Sequence, residues 1–133
     1  MRPLQLLVCV CRCWLVLGLL FGIGSAGAIE LDVPSTRVDL AGAVEYLEDP
    51  TRQLQWQDLK QPAVAARFLP WQAAQGAPSF GYTASAYWLR LCLSRTPAAP
   101  ADWLLELSYP LLSDLEFHAP GQSVIRTGAL LPL

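Results

Sequence analysis

Charge is scarce in this chain, and what there is leans acidic. Charged residues make up 15% of the 133 positions, with nine Lys or Arg against eleven Asp or Glu. Two of the basic residues, Arg2 and Arg12, precede residue 29, so the stretch 29–133 keeps seven against eleven, a net charge of −4. Such a surface repels phosphate backbones, which excludes nucleic acid as a partner. Histidine occurs once, at His118, so no histidine cluster can hold a metal. Cysteine occurs four times, but Cys9, Cys11 and Cys13 crowd the N-terminal end and leave Cys92 alone downstream. The Cys9–Cys13 spacing has no second cluster to complete a metal site, and Cys92 has no internal disulfide partner beyond residue 28. No G-x-S-x-G elbow frames a serine, and Gly76 and Gly81 stand too far apart to cradle a phosphate. The sequence therefore offers no catalytic residue, no metal ligands and no cofactor motif, and reads as a non-enzyme. It also lacks repeats and low-complexity tracts.

What the chain has in excess is apolar surface, at 53% hydrophobic residues. Much of it lies at the start. Arg2 and Arg12 form a basic n-region, the uncharged run 13–24 follows, and Ala26 and Ala28 stand in A-x-A register. Residues 1–28 read as a signal peptide cleaved after Ala28. A retained anchor is disfavoured because Arg12 interrupts the apolar stretch, at about 2.5–3.5 kcal/mol near a helix centre. Downstream no apolar run of about 18 residues recurs, so nothing else reads as membrane-spanning. One disulfide-free exported domain, 29–133, suits a bacterial periplasm.

Within 29–133, ten prolines and five glycines separate short runs of aromatic and branched residues. That rhythm predicts strands and turns, hence an all-β sandwich. The clearest strand is 86–94, with Tyr87, Leu89, Leu91 and Leu93 on one face and Trp88, Arg90, Cys92 and Ser94 on the other. A second strand is expected over 102–109, paired antiparallel so that Leu89 faces Leu107, Leu91 faces Leu105 and Arg90 faces Glu106. Further strands are expected at 114–118, with Leu115 and Phe117 inward, and at 123–127 after the turn 119–122. Residues 44–48 read as strand or helical turn, closed by Asp49-Pro50; 36–40 as a short strand; 64–68 as a short helix.

The motifs Val44-Glu45-Tyr46-Leu47-Glu48-Asp49-Pro50, Leu54-x-Trp56-x-Asp58-Leu59, Phe80-Gly81-Tyr82, Tyr87-Trp88-Leu89-Arg90-Leu91 and Trp103-Leu104-Leu105-Glu106-Leu107-Ser108-Tyr109-Pro110 occur in this order. Together they resemble the second type of periplasmic sensory domain found in bacterial seven-transmembrane receptors with diverse intracellular signalling modules. The resemblance covers roughly residues 36–133. It implies a jelly-roll β-sandwich similar to carbohydrate-binding modules, placed ahead of membrane helices and a cytoplasmic output domain. Those membrane helices, a partner expected in the family, are not in this chain, and the sandwich is expected to be truncated at its C-terminal end. The output activity is not carried over.

The implied function is a periplasmic input domain that senses a small ligand such as a saccharide. A stand-alone secreted carbohydrate-binding or structural sandwich is the alternative. Tryptophan and tyrosine rings stack on sugar faces and carry a polar handle. Trp103, Tyr87, Phe117 and Phe68 are expected in the core. Trp88, Arg90 and Glu106 share the face opposite the leucines and are the candidate ligand-binding residues. Their structural alternative is a second packed layer with Arg90 tied to Glu106. His118 is expected on the surface, and Cys92 as an inert buried thiol.

Overall fold

The computed structural model describes residues 4–9, 28–32, 37–108 and 112–129. The apolar run 13–24 and residues 25–27 of the expected cleavage motif lie outside the described residues, as do Thr36, Tyr109 and Pro110. The fold is all-β. Seven strands, β1 (Leu4–Cys9), β2 (Ile29–Leu31), β3 (Glu45–Asp49), β4 (Leu69–Pro70), β5 (Ala86–Arg95), β6 (Leu115–His118) and β7 (Ile125–Thr127), form a sheet curled into a half-barrel. Their order is β4-β3-β5-β1-β6-β7, with β2 also on β5. Among the described residues, helix is confined to the four-residue α1 (Pro62–Ala65) and three single 3₁₀ turns. None of the described helices is long and apolar enough to cross a membrane.

The strand β5 organises the sheet. Its alternation is as expected, and each face builds its own core. Leu89 and Leu91 are buried with Ala43 and Val44, under Leu40, Tyr46, Trp71, Phe80, Leu93, Leu115 and Phe117. On the other face Trp88 is buried with Leu47, Leu59 and Phe68, flanked by Leu54, Trp56 and Val64. Of the stretch 44–48, residues 45–48 resolve as strand: β3 runs antiparallel to β5 with Tyr46 opposite Leu89 and Leu47 opposite Trp88. It ends where Asp49, 3% exposed, accepts bonds from Thr51 Oγ1 (2.7 Å), Arg52 N (3.0 Å) and Leu54 N (2.9 Å). One short side chain thus satisfies the backbone of the whole turn, the Asx chemistry read from Asp49-Pro50. Strands β6 and β7 pair as the expected hairpin, Phe117 opposite Ile125, through a turn with Gly121 at φ 75°.

Three expectations are corrected. Residues 37–40 are not a strand. Residues 102–108 are not one either: they run as irregular chain beside solvent, with Leu104 92% and Leu107 40% exposed. The physical reason is that both edges of β5 are already filled, by β3 on one side and β1 on the other. β1 lies parallel to both β5 and β6, with Leu6 opposite Leu89 and Phe117. Its sequence, Leu-Gln-Leu-Leu-Val-Cys, is the near-continuous apolar run that a central parallel strand favours. Third, Trp103 lies outside both cores and donates from Nε1 to Pro100 O at 2.9 Å.

Candidate functional site

The face of the sheet that carries Trp88 also carries a cavity. Trp88 projects from β5, Glu116 and His118 from β6 and Arg126 from β7, all at alternate positions that the ladder brings to one side. The fourth wall is the 55–57 loop. Asp58 holds that loop, accepting from Gln55 N at 2.8 Å and from Gln61 Nε2 at 3.2 Å. Between these elements lies a cavity of about 380 Å³ lined by Gln55, Trp56, Gln57, Trp88, Glu116, His118, Val124 and Arg126.

Its floor is aromatic. The Trp56 ring stacks on His118 at 4.9 Å with planes 15° apart, and the Trp88 ring lies 6.0 Å from His118. Trp88 is 1% exposed, and its Nε1 has no hydrogen-bond partner among the described residues. His118 is 6% exposed rather than on the surface, a correction with a clear cause: its strand position faces Trp56, which covers the ring. The mouth is charged. Glu116 bridges His118 Nε2, at 3.1 Å, and the guanidinium of Arg126, whose side chain is 67% exposed. Lys60 Nζ sits 5.0 Å from the outer face of Trp56. The arrangement offers an aromatic wall, a bridged carboxylate, a guanidinium and the side-chain amides of Gln55 and Gln57. Its polar groups can hydrogen-bond a small polar ligand held beside that wall.

The three residues singled out from sequence are separated here. Trp88 is the buried cavity wall. Arg90, on the same strand face, forms an ion pair with Glu45 directly opposite on β3, reaches Ala65 O at 3.5 Å and covers the Phe68 ring at 4.2 Å. Glu106 is exposed and sits 3.6 Å from Arg37, so the expected Arg90–Glu106 contact is absent. The reason is again β1, which occupies the position beside β5 that the expected hairpin needs. Sequence reasoning missed Trp56, Glu116, His118 and Arg126. The alternation of Glu116 and His118 with Leu115 and Phe117 placed them on one face, but only the covering loop 55–57 makes that face a cavity. Among the remaining aromatics, Trp71 donates from Nε1 to Gly76 O at 2.7 Å and packs edge-on against Tyr46 and Phe80, while Tyr82 is 98% exposed.

Compared with known proteins, residues 41–133 match the family model of the 7TMR-DISM extracellular 2 domain. No curated protein and no solved structure matches the chain.

Proposed function

The chain belongs to the 7TMR-DISM extracellular 2 family, an extracellular sensory domain of receptors with transmembrane helices, and on that premise we propose that it is a periplasmic input domain that binds a small saccharide. The observation that carries the reading is the cavity on the Trp88 face. Its Glu116, Arg126, Gln55 and Gln57 rim supplies partners for hydroxyls, and Trp56 and Trp88 give it an aromatic side. Trp88 is the wall of this site, and Arg90 stands on the same strand face. The domain is 29–133, exported by residues 1–28, and folds as a jelly-roll sandwich of the carbohydrate-binding kind. It binds rather than catalyses, as a sensory role in the family implies.

The test is thermal denaturation of the purified protein with a panel of mono- and oligosaccharides. A saccharide present at a hundred times its Kd stabilises by about 2.7 kcal/mol, a shift of several degrees in a domain this size. Arg126→Ala, which alters an exposed side chain, is expected to remove the shift with the unliganded Tm nearly unchanged. A panel that leaves the Tm unmoved up to millimolar concentrations overturns the saccharide reading.

A further inference from the structure

The position between β5 and β6 is held by a strand that comes from far away in sequence and runs the wrong way for its neighbours. β5 and β6 are themselves parallel, one strand apart, with β1 parallel to both. Parallel ladders pair less favourably per residue than antiparallel ones, and β1 reaches this place only by closing the whole loop from residue 10 to 85. The segment 102–108, by contrast, leaves β5 through a turn that already reverses the chain, with Ala99 N donating to Thr96 O at 3.1 Å and Arg95 reaching Ala99 O at 3.2 Å. Its Leu104, Leu105 and Leu107 are exposed, and β6 is the next strand in sequence.

We propose that residues 102–108 form the strand that takes the place of β1 once residues 1–28 are removed, so that leader removal converts the centre of the sheet into an antiparallel meander and completes the ligand face. The registers of β1 state what the exchange would bring together. Leu6 stands opposite Leu89 and Phe117, Leu7 opposite Arg90 and His118, and Gln5 opposite Trp88 and Glu116. An antiparallel strand with Leu107 at the place of Leu6 puts Leu105 and Leu107 on the face of Leu89, Leu91 and Phe117, inside the existing core. The same register puts Glu106 between Arg90 and His118, and Ser108 between Trp88 and Glu116. Acidic and basic groups then alternate across four strands, Glu45, Arg90, Glu106, His118, where β1 offers only Leu7. Trp88, Arg90 and Glu106 become one face continuous with the cavity. This rests on the proposed export of the chain with removal of its leader.

The experiment compares hydrogen exchange, read by mass spectrometry over 102–108, in the exported product and in the full chain that retains Met1. Exchange at Leu105 and Leu107 is expected to slow by about 100-fold or more in the product that begins at Ile29, and to stay near the rate of unstructured chain in the chain that retains Met1. Free exchange of 102–108 in the leader-free product overturns the proposal. Intact mass reports the leader separately: a product that keeps Met1 refutes the export reading and leaves the exchange to a second variant. In the full chain, Leu6→Pro takes a backbone donor from β1 and breaks its ladder. Slow exchange over 102–108 in that variant supports the exchange of strands, and free exchange there also overturns it.

Discussion

Trp88 shows at the residue scale how burial separates two roles for one ring. Its side chain is the most enclosed in the described chain and holds Leu47, Leu59 and Phe68 together, so Trp88→Ala is expected to cost about 3–5 kcal/mol in denaturant unfolding. Trp88→Phe should cost much less, because it keeps most of the ring and removes an indole N–H that no described group satisfies. A second residue-scale prediction concerns pH. Burial, aided by the hydrogen bond and negative charge of Glu48, raises the Tyr87 hydroxyl above its ordinary 10.0. The folded state thus keeps this proton when the unfolded chain has begun to lose it, and stability is full below pH 10 and declines as pH rises above it. Tyr87→Phe is expected to lessen that decline in alkaline thermal melts. Both side chains were placed on their faces by the alternation of 86–94. Their partners were not, since Glu48 and Leu47 arrive from a strand 40 residues away whose state the sequence left open.

At the element scale, short strands depend on tight junctions. β7 is only three residues long and returns to the start of β6 through Gly128, at φ 140°, after which Ala129 N donates to Leu112 O at 2.9 Å. A Cβ at residue 128 would meet Ser113 O at 2.6 Å and Asp114 N at 2.8 Å, both backbone atoms that cannot rotate away. Gly128→Ala is therefore expected to destabilise by about 1–3 kcal/mol and to loosen the β6–β7 hairpin, measurable by chemical denaturation and by faster amide exchange at 125–127. β5, β6 and the turn between β6 and β7 were legible because period-two alternation and Pro-Gly punctuation are local signals. The pairing of β5 was not. Two segments, 4–9 and 102–108, both carry apolar residues that fit its free edge, and no local signal ranks a leader against a hairpin partner.

For the molecule as a whole, one sheet divides two cores, and helix is scarce among the described residues, so the far-ultraviolet circular dichroism spectrum is expected to be dominated by strand. Cell fractionation with intact mass should recover a periplasmic chain beginning at Ile29, and a cytoplasmic chain retaining residues 1–28 would refute the export reading. Sequence alone determined the all-β class, the two faces of β5, the inward pair Leu115 and Phe117, the Asp49 turn and the resemblance of roughly 36–133 to a sensory family, which the family model matches over 41–133. These are properties of local periodicity, turn chemistry and motif order, which a linear chain carries in full. Tertiary structure decided the rest. It chose which segment stands between β5 and β6, carried Arg90 to Glu45 instead of Glu106, and buried His118 beneath Trp56. Each of these depends on which distant segment reaches a shared edge or covers a shared face, and the free energy of that choice lies in contacts between residues that no local pattern joins.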